Sequence, residues 1–273
     1  MWRYQIERAE AAGSNRAHSA ITRADDPSRA SARRQLEYVV FWFGFLGSKN
    51  AWVGLMLAAL LGLVAAASPE RVVVIEDWMT NRVSQRGIPS GWTGEGFGRR
   101  ADYDFTIEQA GEARVLHLKS NDEHSTIVRD ITGKVRLKET PILEWTWKAN
   151  ILPTGGDVRR NESTDIAAQL YVIWPRFPAL LRSRIIGYVW DATTPAATMV
   201  KSEKTGTVTF IVLRSGTKDL GKWLTERRNV AEDYRDIFGE FPENPTAITI
   251  SIDSNDTHST AESFIGPIFF RQN

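Results

Sequence analysis

The 273-residue chain contains no cysteine. This removes disulfide staples, a thiol nucleophile, thiolate metal sites and a lipidated cysteine behind an export signal, and it leaves stability to the packed core. Histidine is scarce: His18, His117, His124 and His258 are the only ones, at spacings that fit no metal motif. No charge of one sign dominates either, because 34 Lys and Arg stand against 33 Asp and Glu, mixed throughout, for a formal net charge of +1. A polyanion such as nucleic acid finds no basic stripe, so nucleic acid is not an expected partner.

Long apolar runs are also few. The longest spans residues 51–67 (AWVGLMLAALLGLVAAA), follows Lys49 and opens onto Ser68-Pro69-Glu70. A basic flank, an uncharged centre and small residues before a polar step are the three parts of an export signal. Its length sits at the short edge of a bilayer-spanning helix and the long edge of a signal-peptide core, so it reads either as a cleaved signal or as an inner-membrane anchor. With the upstream patch YVVFWFGFL at 38–46 it forms a hydrophobic segment, 38–67, the only expected membrane contact if it stays uncleaved. Arg33, Arg34 and Lys49 precede the run 51–67 while Glu70, Glu76 and Asp77 follow it, which leaves the C-terminal part periplasmic or secreted. Residues 1–37, polar and rich in Ala, Arg and Ser, read as a disordered extension or as translation from a start codon placed too early.

Residues 68–273 are one domain's worth of chain, long enough to bury roughly 70% of its unfolded surface. They repeat one texture, short alternating or apolar β-rich runs broken by Gly, Pro, Asn and Asp. The expected fold is mainly β: a two-sheet antiparallel sandwich, jelly-roll-like, with one short helix, preceded by the N-terminal hydrophobic helix. Expected strands lie at 72–75, 104–108, 115–120, 126–130, 142–149, 166–174, 185–190, 207–214, 247–253 and 264–270. One helix is signalled. Asn229 caps it, Glu232 stands three residues on, Val230, Tyr234 and Ile237 give an apolar stripe, and Gly239 stops it.

Four pieces in order, GIPSGW after EDW at 87–92, ILEWTWK at 142–148, LRSGTKDLGKWLTERRNVAEDYRDIFGE at 213–240 and ITISIDSNDTHSTAESFIGPIFF at 248–270, resemble the bacterial domain of unknown function 3047 family. The resemblance covers residues 70–271 and implies an exported, mostly β domain of uncharacterised activity. More distantly, the chain is similar to the jelly-roll modules that bind carbohydrate, an analogy between folds.

Alternation assigns faces. In 143–148, Leu143, Trp145 and Trp147 oppose Glu144, Thr146 and Lys148; in 165–172, Ile166, Ala168, Leu170 and Val172 oppose Asp165, Gln169 and Tyr171; in 248–253, the isoleucines oppose Thr249, Ser251 and Asp253. If these strands share a sheet, Glu144, Lys148, Asp165, Gln169, Tyr171, Ser251 and Asp253 line one surface able to hydrogen-bond a polar ligand. The competing reading of that face is a solvated surface with cross-strand ion pairs. Trp145 and Trp147 fall on the core side, whereas Trp174, Trp190 and Trp223 sit near strand ends, where they suit sugar stacking.

Other motifs are weak. The run 253–257 (DSNDT) gathers oxygen ligands, but His258 stands where an EF-hand loop needs glycine and Phe264 where it needs glutamate, so an Asx-rich turn is the better reading and no metal is assigned. Arg227 and Arg228 read as partners of acids. The glycine run 94–98 is a flexible turn. No catalytic constellation and no cofactor emerge. The leading functional reading is an exported non-catalytic module that recognises a carbohydrate or another cell-envelope component, with a glycan or envelope protein as partner. One alternative is an envelope polysaccharide hydrolase using two of Glu144, Asp165, Asp253 and Glu262. Another is a membrane-anchored structural subunit of an envelope complex.

Overall fold

The strand at 142–151 shows how alternation builds this domain: Leu143, Trp145, Trp147 and Ala149 are fully buried, while Glu144, Thr146, Lys148 and Asn150 between them reach the opposite side. In the computed structural model, residues 70–95 and 105–272 are described. The polar extension, the hydrophobic segment 38–67 and most of the glycine run 94–98 lie outside them. The described residues belong to one compact unit.

They form thirteen strands in two sheets. The first sheet holds β1 (Val72–Glu76), β3 (Phe105–Ala110), β4 (Ala113–Asn121), β6 (Ile142–Ile151), β11 (Leu224–Asn229) and β13 (Thr260–Arg271), in the order β11-β6-β13-β4-β3 with β1 also on β13. The second holds β2 (Thr93–Glu95), β5 (His124–Asp130), β7 (Ala168–Trp174), β8 (Arg184–Asp191), β9 (Met199–Lys201), β10 (Val208–Ser215) and β12 (Ala247–Asp253), in the order β2-β5-β12-β7-β8-β10-β9. Two α-helices complete it, a single turn α1 (Ala179–Arg182) and α2 (Val230–Phe238), with a 3-10 turn at Asn161–Ser163.

The architecture is the expected mainly β pair of sheets, but β2, β9 and the single-turn α1 are additional to the expected elements, and one strand pair is not antiparallel. β8 and β10 run parallel, because the connection after β8 forms β9 and returns as a hairpin whose second strand inserts between β8 and β9. β11 was not expected as a strand. Its inward positions are charged, Glu226 opposite Trp145 and Arg228 opposite Leu143, so its sequence lacks the apolar alternation of a strand. The helix follows its signals: the Asn229 side chain accepts the N–H of Glu232, and Gly239 closes the end at φ 75°. A close side-chain approach selects glycine at 266, in the β13 bulge, where a Cβ would meet Thr146 Oγ1 at 2.0 Å.

Between the sheets the core is aromatic. Trp145 meets Trp147 edge-on at 5.3 Å and Tyr188 at 5.4 Å, and Trp147 reaches Trp190 at 6.2 Å, so the contacts run from β6 across to β8. Each indole or phenol brings a polar tip into that dry layer, and an unpaired tip is costly there. Buried carboxylates answer three of them. Trp92 Nε1 donates to Glu76 at 2.7 Å, Trp147 Nε1 to Glu226 at 3.0 Å and the Tyr188 hydroxyl to Asp233 at 2.7 Å. Each carboxylate in turn pairs with an arginine, Arg129, Arg214 and Arg228 respectively. Glu76 also accepts the N–H groups of Asp77 and Trp78. Through Arg129 on β5 and Trp78 Nε1, which donates to Gly266 O at 3.0 Å, this corner ties β1 to both sheets.

Removing one partner of such a buried pair strands the other. Glu76→Ala therefore is expected to lower unfolding free energy by about 3 to 5 kcal/mol, read as a lower urea midpoint. A loss under about 1 kcal/mol would mean the corner is not a structural knot.

Candidate functional site

The residues expected to share a surface divide between the sheets. Glu144 and Lys148 lie on β6 of the first sheet, whereas Gln169 and Tyr171 on β7, Ser251 and Asp253 on β12, and Asp165 just before β7 belong to the second. This corrects the single-face expectation: β6 pairs with β11 and β13, while β7 pairs with β12 and β8. Alternation tells which side of its own sheet a residue faces, not which sheet it is in.

The second sheet's outer side is also not a solvent face. Asp165, Gln169, Tyr171 and Ser251 are buried. Val158 and Ile166, from the connection between β6 and β7, pack with Tyr171, Ile173, Val189, Phe210 and Val212 as a second apolar cluster. The polar groups there bond to one another. The Tyr171 hydroxyl donates to Gln169 Oε1, Gln169 Nε2 donates to Asp253 Oδ1 at 2.8 Å, and Ser251 meets Thr126 across the β12–β5 pair. Burial pushes the Asp253 carboxyl above the ordinary carboxylate range, against the opposing pull of His124. Asp165 accepts the N–H of Asp256 at 3.1 Å, the N–H of Thr257 at 2.6 Å and the Thr257 hydroxyl at 2.6 Å. The oxygens of 253–257 that suggested a cation loop are likewise occupied, by partners distant in sequence: Asp253 accepts the N–H of Ile166 as well as the Gln169 amide, Asp256 pairs with Lys204 at 2.6 Å, and the Thr257 hydroxyl serves Asp165.

The same connection is lashed down at its start. Asp191, fully buried at the end of β8, accepts the N–H groups of Val158, Thr193 and Thr194, and burial raises its pKa. The Thr194 hydroxyl donates to Asp157 at 2.8 Å, and Arg159 clamps Asp157 with two bonds at 2.8 and 2.7 Å. Those bonds from Arg159 hold the Asp157 carboxyl far below the ordinary range.

The first sheet's outer side carries a row of aromatic and polar side chains. Strand pairing aligns Thr106, His117, Phe264 and Lys148 in one row across β3, β4, β13 and β6, and Trp223, just before β11, extends it. The His117 ring stacks on Phe264 at 4.1 Å, 8° from parallel. Lys148 Nζ lies 4.0 Å from the Phe264 ring centre and 5.2 Å from that of Trp223. It makes no ion pair among the described residues. Beside the row, Glu262 accepts from Asn150 at 3.1 Å, meets His117 Nε2 at 2.8 Å and pairs with Lys119 at 3.3 Å. Its carboxyl pKa is lowered: these hydrogen bonds outweigh the upward push of burial. Glu108 takes the other imidazole nitrogen, Nδ1, at 2.5 Å.

Trp223 is 41% exposed, whereas Trp174 and Trp190, the other rim candidates, are buried. Trp223 also walls a cavity of about 360 Å³ with Val115, Thr146, Pro267 and the small residues of the β3–β4 turn. The bulge that demands Gly266 places Pro267 in that wall. Sequence reasoning marked Lys148 and Trp223 but missed His117, Phe264, Asn150 and Glu262 as their neighbours. Alternation carries the signal, since Glu262 and Phe264 fall on the side opposite Ser263 and Ile265, although Phe264 is itself covered by its neighbours in the row. Farther along β6, Glu144 is held by Arg227 at 3.3 Å and Arg271 at 2.9 Å.

The fold and face therefore define a two-sheet β domain with an aromatic and polar row on the outer side of one sheet, exposed at Trp223. The chain belongs to the family described as "Protein of unknown function (DUF3047)", which matches residues 90–269. No curated protein matches it in sequence. Among solved structures it is similar to a family 11 carbohydrate-binding module from Clostridium thermocellum in complex with a β-1,3-1,4-mixed-linked tetrasaccharide, at TM-score 0.38 and 10% identity over 73% of this chain and 94% of that one. It is also similar to a xylan-binding domain (CBM22-1) from Paenibacillus barcinonensis, at TM-score 0.34 and 12% identity over 76% and 99%. A family 30 module of a Clostridium thermocellum cellulosomal cellulase gives TM-score 0.35 and 12% identity over 73% and 96%.

A carboxyl whose pKa is depressed on folding adds stability above its unfolded pKa and loses it as pH falls toward the folded value. Asp157→Asn is therefore expected to melt below the wild type at pH 7, with the gap closing as pH drops below the ordinary Asp value of 3.8. A gap independent of pH would show that the Asp157 charge does not hold the connection.

Proposed function

We propose that this domain binds a carbohydrate without turning it over, on the outer face of the first sheet, and that export brings it to a cell-envelope or extracellular glycan. The carrying observation is Trp223, the one described tryptophan that faces solvent, set against a cavity and beside an ammonium group with no carboxylate partner. A pyranose offers an apolar C–H face and a rim of hydroxyls. The indole suits the first, and Lys148, Asn150 and Glu262 suit the second through charge-assisted and amide hydrogen bonds. A cavity of about 360 Å³ sits at the small end of the ligand-pocket range.

Binding is favoured over hydrolysis by the carboxylates themselves. Glycoside cleavage needs one carboxyl free to protonate and a second to attack or to activate water. On this face Glu108 and Glu262 grip opposite nitrogens of His117, Glu144 is neutralised by two arginines, and Asp165 and Asp253 are occupied inside the second sheet's cover.

The test is a glycan array followed by calorimetry with β-glucan, xylan and mannan oligosaccharides on the full chain. Trp223→Ala is expected to weaken binding at least about tenfold and Lys148→Ala about threefold to tenfold, as for an aromatic anchor and its charged neighbour. Both should shift Tm by no more than about 2 °C, since Trp223 is exposed and Lys148, half-buried, has no ion pair to lose among the described residues. Unchanged affinity in Trp223→Ala, or no bound glycan on the array, would contradict the proposal.

A further inference from the structure

The second sheet carries a different exposed surface, at the turn joining β7 to β8. Leu181 is 80% exposed and Phe177 77%, the two most exposed large apolar side chains among the described residues, and Met199 on the edge strand β9 is 50% exposed. Leu181 and Met199 rim a cavity of about 600 Å³ whose other walls include Arg176, Arg182, Arg184 and Lys201. The apolar tips therefore stand over a basic basin, and one surface presents both.

The charges in that basin are not all spent on internal pairs. Arg176 and Arg184 share Glu240, at 2.8 and 2.5 Å, and both donate to the Tyr234 hydroxyl. Asp236 of α2 is the carboxylate in the lining, and it lies 3.8 Å from Arg235; Glu243 acts on Arg176 from farther off. Arg182 makes one hydrogen bond, to the Phe177 carbonyl at 3.4 Å, and neither it nor Lys201 has a carboxylate partner among the described residues. The hydroxyl-bearing Ser183, Thr207 and Thr209 also line the basin.

We infer that this surface docks onto an anionic phospholipid bilayer, with Phe177 and Leu181 entering the headgroup boundary and Arg182 and Lys201 meeting lipid phosphates. Apolar side chains on a projecting turn, ringed by cations on long stems, match the layering of a membrane interface, where acyl chains lie below and phosphates above. A protein partner would need a complementary acidic hollow. A bilayer supplies both chemistries on one plane. The surface is on the other sheet from Trp223, and the inference does not depend on glycan binding.

Because the chain lacks cysteine, Leu181→Cys gives a unique thiol for an environment-sensitive nitrobenzoxadiazole label on the full-length protein. Glu112→Cys, in the β3–β4 turn, serves as the control site. With phosphatidylcholine–phosphatidylglycerol vesicles the label at 181 is expected to brighten and shift to the blue, while the label at 112 does not. With pure phosphatidylcholine vesicles neither label responds, and added salt weakens the response at 181. Arg182→Glu with Lys201→Glu in the labelled chain should lower the apparent vesicle affinity at least about tenfold, since each cation at an anionic surface contributes about fivefold. Sedimentation of the chain with vesicles while the label at 181 stays water-exposed would mean that the apolar run 51–67 alone attaches it, and would overturn the inference. An equal response to both vesicle types, or to inorganic phosphate without lipid, would overturn it as well.

Discussion

The domain depends on one solution to one problem: how to fill a β-sandwich with indoles and phenols without stranding their polar tips. In three places the tip donates to a buried carboxylate, and the carboxylate is balanced by an arginine, giving Trp92–Glu76–Arg129, Trp147–Glu226–Arg214 and Tyr188–Asp233–Arg228. Each group satisfies the next, so the cost of burying a charge is offset by hydrogen bonds at both ends. Trp145 Nε1 has no such partner, and its ring is held by packing against Trp147 and Tyr188 instead. The relays also set orientation. They bind β11 and α2 to the aromatic core, and they close the corner where β1 and β5 meet.

Once the inward faces are committed in this way, little is left to choose about the outward ones. Trp145 and Trp147 must point inward, so Glu144, Thr146 and Lys148 must point outward, and the row through Phe264 and His117 follows from pairing. The second sheet's outer side is instead consumed by the connection between β6 and β7, anchored through Asp157 and Asp191. The two surfaces proposed to bind are accordingly the first sheet's row and the apolar turn between β7 and β8.

What the sequence discloses follows from what is local. The period-two pattern of β6, the apolar runs of β7, β8 and β10 and the cap signals of α2 are all written in neighbouring residues, and the structure has those elements. Pairing is not local. Nothing in 142–149, 166–174 or 247–253 says that the first belongs to a different sheet from the other two, so Glu144 and Lys148 were grouped with Asp165, Gln169, Tyr171, Ser251 and Asp253. Burial by a distant segment is equally unwritten, which is why Tyr171 and Gln169 read as solvent-facing. β11 hid for the opposite reason: its inward Glu226 and Arg228 look like surface charges until Trp147, Arg214 and Asp233 are placed beside them. Trp174 and Trp190 likewise sit near strand ends, yet each sends its N–H to a backbone carbonyl from a buried position.

The central claim is that the packed interior claims every described tryptophan except Trp223, which is left to meet a ligand. Indole N–H signals in a nitrogen-15 spectrum of the full chain, with Trp223 assigned through Trp223→Phe, test it directly during titration with β-glucan, xylan or mannan oligosaccharides. The account predicts that the Trp223 signal moves with bound sugar while those of Trp78, Trp92, Trp145, Trp147, Trp174 and Trp190 hold still. Movement of the buried indoles with Trp223 unmoved would contradict it.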